Sequence, residues 1–149
     1  MKATPEIEKL LATPEPPELG PGPRKGVLPE KALNAELDKT GASELARAAV
    51  LVWHDHLDSA HKIVQDIETP DGSYIHAIIH RREPDYSNSK YWFRRVGDHV
   101  CFAELSIALR QKWDPLAFVD ACERHDEKTE PRLREIQGTE LRLLIEHLL

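Results

Sequence analysis

No stretch of this chain reaches 18 consecutive apolar residues, so no transmembrane helix is expected. The start carries acids at Glu6 and Glu8 and lacks an apolar leader segment, so no signal peptide is expected either. Cysteine is scarce. Cys101 and Cys122 stand alone with no CxxC spacing, a pattern that fits buried thiols in a reducing compartment and leaves a disulfide between them to be decided by geometry. Positive charge is also short: 20 Lys and Arg face 26 Asp and Glu, for a net −6, so nucleic acid is not an expected partner. There is no glycine-rich phosphate loop, no dinucleotide fingerprint, no GxSxG and no HExxH. Strict polar–apolar alternation and internal repeats are absent too. These absences predict a cytoplasmic, all-α chain without a standard nucleotide, serine-hydrolase or zinc-protease signature.

The 149 residues suffice for one domain with a sizeable core. Residues 13–29, TPEPPELGPGPRKGVLP, hold six of the eleven prolines and three of the seven glycines, and no helix or strand ladder survives that density. They read as an extended connector, either disordered or laid across the body through Leu19, Val27 and Leu28. The sequence therefore divides into an N-terminal extension with its connector, 1–29, and a single helical domain, 30–149. A short helix precedes the connector. After it, Pro29 opens a helix that ends before Gly41, and Ser43 caps a long one over 44–68. Further helices are expected over 73–82, up to Val96, over 99–112, over 115–125 and over 131–149. Pro84 stops one, Gly97 supplies a left-handed terminus, and Asp114-Pro115 is an N-cap and N1 pair. Gln137-Gly138-Thr139 suggests a kink in the last helix. The fold class is a compact helical bundle of about five to seven helices with a Pro-rich N-terminal segment.

On a helical wheel, the 44–68 helix gathers Leu45, Ala49, Val52, Trp53, Leu57, Ala60, Ile63, Val64 and Ile67 on one face, with His56 among them as a core histidine. Between Ala48 and Trp53 it is apolar all round, which predicts a central helix. His54, Asp58, His61 and Gln65 form a second stripe. Asp55 lies about 100° from both His54 and His56, so HDH is not itself a dyad. The next helix carries His76 and His80 at i, i+4. The one after carries Lys90 and Arg94 on one face and Trp92, Phe93 and Val96 on another.

These constellations support three chemical readings. Two histidines at i, i+4 are the spacing with which one helix gives two nitrogens to one metal. His76 and His80, with Asp58 as the tentative third ligand or with a group among His54 and His61, would suit a divalent zinc, iron or nickel ion. A last position would then hold water with a lowered pKa. The second reading is a small anionic or aromatic ligand. Residues 80–95 contain five basic and two acidic side chains, a net +3 against −9 for the rest. Arg81, Lys90 and Arg94 would meet the anion, while Tyr86, Tyr91 and Trp92 would stack on a ring and Gln65 would add a hydrogen bond. The third is acid–base or hydrolytic catalysis by His54, His61, His76 and His80, with Asp58 or Glu83 orienting them. The alternative to all three is a non-catalytic interaction or structural domain, in which the arginines and tyrosines form a salt-bridge network with Glu83, Asp85 and other acids. His99, His125 and His147 read as peripheral, with His99 the nearest spare ligand.

The segments WHDHLDSAHKIVQ (Trp53 to Gln65) and DGSYIHAIIHRREPDYSNSKYWFRRVGDH (Asp71 to His99) resemble those of an uncharacterised set of small proteins that share an HRREPDYSNxKYWFRRVG-like run. The resemblance covers about a third of the chain and implies no particular activity. A looser likeness is to the DinB-like helical bundles, which hold a metal with three histidines, two of them in an HxxxH. That likeness implies a three-histidine metal site containing His76 and His80.

Overall fold

The computed structural model describes residues 5–149. Among them are nine helices and no strand: α1 (Pro5–Leu11), α2 (Glu30–Thr40), α3 (Glu44–Trp53), α4 (Leu57–Val64), α5 (Pro70–Arg82), α6 (Tyr86–Val96), α7 (Val100–Leu109), α8 (Pro115–Glu123) and α9 (Glu130–Leu148). No described helix is long and apolar enough to cross a membrane. The all-α class holds, with more and shorter helices than five to seven.

The expected 44–68 helix is two helices. After Trp53 the chain turns: the Asp55 N–H donates to Val52 O (3.0 Å) and the His56 N–H to Leu51 O (2.9 Å), with Asp55 in the left-handed region at φ 66°. This is a Schellman terminus in which aspartate occupies the place glycine usually takes. Aspartate tolerates that conformation better than most residues, and here its side chain is fully engaged. Asp55 Oδ1 accepts from Arg24 (2.7 Å) and Arg82 (2.8 Å), and Oδ2 accepts from the Arg24 backbone N–H (2.8 Å). The same two guanidiniums donate to the carbonyls freed at the end of α3, Arg24 to Trp53 O (2.9 Å) and Arg82 to Val52 O (2.8 Å). Two cations at a helix C-terminus meet both its last carbonyls and its dipole. Wheel geometry at 100° per residue assumes a continuous helix, so it gave no sign of this turn.

The turn also fastens the Pro-rich segment. Gly22 passes so close that a Cβ there would sit 2.9 Å from Asp55 Oδ2, at φ 70°, which only glycine adopts freely. Arg82 holds Gly20 O (3.1 Å), Arg134 holds Pro16 O (2.7 Å) and Gln137 holds Glu18 O (2.9 Å). Leu19 is buried, Leu28 packs against the core, and Ile7, Leu10 and Leu11 of α1 are also core residues. Residues 13–29 are thus laid across the body. No break occurs at Gly138. α9 runs through it, and the small residue instead lets Pro16 approach.

α3 is central, with every residue from Ala48 to Trp53 buried. α5 is as deeply placed, buried from Gly72 through Arg82, and it packs against α3, α4 and α6. Its burial extends to charges. Arg81, 1% exposed, pairs with Glu140 of α9 at 2.6 Å and donates to Gln137 (3.0 Å); Tyr74 donates to Glu140 (3.1 Å), and the Arg81 guanidinium lies 4.6 Å over the Phe118 ring. A carboxylate with this many donors offsets much of its desolvation. Removing one partner strands the other. Glu140→Ala is expected to cost about 3–5 kcal/mol in urea denaturation, and the double variant Arg81→Met/Glu140→Met less than that single change. A double variant worse than either single one would show that the pair contributes beyond mutual neutralisation.

Candidate metal centre

α5 carries His76 and His80 one turn apart on the face toward α4, and α4 carries His61. The three imidazoles each bring one ring nitrogen to within 4.8 Å of the others. His76 and His80 stack (centroids 4.8 Å apart, 23° between planes), and His61 stands edge-on to both, at 4.7 Å from His76 and 5.6 Å from His80. Trp92 of α6 closes the far side of His76, stacked at 3.9 Å and 15°. His76 is 5% exposed and His80 8%, while His61 is half-buried.

The electrostatics suit a cation without a proton. Burial pushes the His76 imidazole down to about 4, with His80 and then His61 adding to the shift. At neutral pH its ring is a free base. His76 Nδ1 is buried with no hydrogen-bond partner. Buried polar atoms are nearly always paired, so an orphan calls for a partner such as an ordered water or an ion. Around His80 the polar atoms are better supplied. Glu83 Oε1 is 2.8 Å from Nδ1, though off the line of a hydrogen bond, and Asn88 Nδ2 is 3.3 Å from Nε2.

A second cluster is chemically different. Asp71 Oδ1 lies 2.6 Å from His99 Nε2 and 3.2 Å from His147 Nε2. His99 Nδ1 accepts the Cys101 N–H at 3.1 Å, capping α7. A ring nitrogen that accepts carries no proton, so neutral His99 donates its Nε2–H to Asp71. An ion at Nε2 would need an imidazolate or the loss of the cap. This group is already satisfied as a hydrogen-bonded surface cluster.

Several expected site residues lie elsewhere. The turn at Asp55 splits the stripe of His54, Asp58, His61 and Gln65. His54 faces the N-terminal segment, with Nε2 2.8 Å from Leu10 O and Nδ1 accepting the Leu28 N–H at 3.0 Å. Both of its nitrogens are taken, and it is not among the converging histidines. His56, expected in the core, is half-buried at the start of α4, with Nε2 2.7 Å from Leu28 O. Asp58 is exposed in a groove of about 580 Å³ with Glu30, His56 and Glu83, and the third converging donor is His61 in its place. Gln65 is exposed at the end of α4.

The basic residues do not form one anion-binding surface. Arg81 is in the core with Glu140, Arg82 is with Asp55, and Lys90 pairs with Asp120 of α8, which relieves its repulsion from Arg94. Arg94 is exposed. Arg95 reaches Glu68 (3.8 Å) and lies over the Trp92 ring (5.4 Å). Tyr86 is half-buried against the core and Tyr91 is 49% exposed. Cys101 and Cys122 are free and buried. Burial raises them to about 12 and about 11, which removes thiolate chemistry near neutrality. Sequence reasoning missed Arg24, which belongs to no motif, and Asn88, which the HRREPDYSN run contains without marking it as a contact of His80.

No family model, curated protein or solved structure matches this chain.

Burial also lowers the His54 imidazole below its ordinary value. His54 and His76 thus bind protons less readily folded than unfolded. Stability is then full above the unfolded value of about 6.5 and falls as pH drops toward about 4. Urea midpoints of metal-free protein should fall steadily from pH 7 to pH 4. In His54→Gln/His76→Gln the slope should flatten, and an equal slope in that variant would contradict the assignment.

Proposed function

We propose that this protein binds a divalent transition-metal ion through His61, His76 and His80. The carrying observation is the convergence of three ring nitrogens from two helices within 4.8 Å, with His76 Nδ1 and His80 Nδ1 both buried without a hydrogen bond. Ligands at about 2.0–2.1 Å from a tetrahedral ion stand roughly 3.3 Å apart. Closing from 4.8 Å therefore takes shifts of about 1.5 Å at most, within reach of small ring rotations. An all-imidazole set suits zinc, iron or nickel. Three protein ligands leave a position open, as in catalytic rather than structural zinc sites. A bound ion would act there as a Lewis acid on water or on a small anionic ligand, which makes hydrolytic or acid–base chemistry the reaction class to examine first.

For the arginines a structural role is better supported. Arg81 and Arg82 are ion-paired inside the protein, and Lys90 is taken by Asp120. Kinship with the small proteins that share the HRREPDYSNxKYWFRRVG-like run belongs to this proposal and adds no activity to it.

The test is metal analysis of the purified protein, followed by zinc titration calorimetry. Wild type should take one equivalent. His61→Ala, His76→Ala and His80→Ala should each weaken binding by about 100-fold or more, since even outer partners of a ligand typically contribute 10–100-fold. His54→Ala should leave it unchanged. Substoichiometric metal, equal in wild type and His76→Ala, would remove the reading.

A further inference from the structure

The HRREPDYSN stretch places four polar groups in series: Glu83, His80, Asn88 and Asp85. A carboxylate only accepts hydrogen bonds. Asp85 caps α6, with Oδ1 accepting the Asn88 backbone N–H (3.4 Å) and Oδ2 accepting from Asn88 Nδ2 (3.4 Å). That turns the nitrogen side of the amide toward Asp85. The same Nδ2 lies 3.3 Å from His80 Nε2. An amide nitrogen donates and does not accept, so Nε2 is the acceptor and carries no proton. In a neutral ring the proton is then on Nδ1, and Nδ1 is the atom that stands 2.8 Å from Glu83 Oε1. The two sides agree.

We infer that Glu83 and Asn88 lock His80 in the Nδ1–H tautomer, so that Nε2 is the donor it presents to a metal ion and Glu83 is the carboxylate behind it. In water neutral histidine carries its proton mainly on Nε2, so the lock inverts the ordinary preference. Metal-ligating histidines usually donate their other N–H to a carboxylate or carbonyl, which fixes the ring and raises its basicity. The present 2.8 Å contact lacks only alignment, and a small rotation of the ring toward an ion supplies it. The ion takes the place of the Asn88 N–H at Nε2, and Asn88 keeps its bond to Asp85. Glu83 is thus a positioning residue that acts through His80. It is exposed on the α5–α6 turn, and replacing it does not disturb the core.

The part of this inference that concerns an ion rests on the metal reading, whereas the tautomer is measurable without metal. In ¹⁵N-labelled full-length protein at pH 7.5, long-range ¹H–¹⁵N correlation reads which nitrogen of His80 is protonated. Wild type should show Nδ1 protonated. Glu83→Ala should shift His80 toward the Nε2–H form, and Glu83→Gln, which keeps an accepting oxygen, should restore much of the Nδ1–H form. Zinc should bind about 10–100-fold more weakly to Glu83→Ala, with Glu83→Gln between that and wild type. A proton on Nε2 in wild type, an unchanged tautomer in Glu83→Ala, or zinc bound at Nδ1 would overturn the inference. Absence of zinc binding in wild type, with the tautomer shifts intact, would overturn the metal reading and leave the lock standing.

Discussion

The carboxylate of Asp55, held between Arg24 and Arg82, is the contact on which the arrangement turns. It keeps a non-glycine residue in the left-handed region, where most residues would pay roughly 1–2 kcal/mol. Two guanidiniums offset that cost and in the same place satisfy the carbonyls at the end of α3. Three consequences follow from this one knot. The helix ends, the chain leaves in a new direction as α4, and the Pro-rich segment is anchored across the body by Arg24. Because α4 then packs on α5, His61 arrives beside His76 and His80, whereas His54 stays behind with the N-terminal segment. A continuous helix would have kept His54 and His61 on one stripe.

The protein uses arginine and histidine for different ends. Arginine is always charged and forks its donors, so it suits buried carboxylates and carbonyls, and Arg24, Arg81 and Arg82 do this work in the interior. Histidine is neutral when desolvated and keeps a lone pair. The contrast is clearest within α5, where His80, Arg81 and Arg82 are consecutive. Arg81 faces Glu140, Arg82 faces Asp55, and His80 faces the imidazole cluster. Successive residues on a helix point about 100° apart, so one tripeptide supplies the core, the knot and the site together.

Polar satisfaction distinguishes the two histidine clusters better than proximity does. The group of Asp71, His99 and His147 is as compact as the other, but its protons are already placed by Asp71 and by the Cys101 N–H. In the cluster of His61, His76 and His80 two buried nitrogens, His76 Nδ1 and His80 Nδ1, make no hydrogen bond, and Glu83 and Asn88 flank the third ring. A lone pair left free on a neutral ring, as on His76, is what a metal ion requires.

Much of the molecule was legible from the sequence. Period-3.6 patterning, proline stops and caps gave the all-α class and most helices, because those signals are local. HxxxH placed His76 and His80 together, since four residues make nearly one turn. What the sequence could not supply was the turn at Asp55, because its cause lies 31 residues upstream in Arg24 and 27 downstream in Arg82. The choice of His61 over His54 and Asp58 followed from that turn. The fate of the arginines was hidden for the same reason: a charge run looks alike whether it faces solvent or distant carboxylates such as Glu140, 59 residues away. Residue type and spacing determined which chemistry the chain could offer. Only long-range pairing of buried charges decided which of those groups meet.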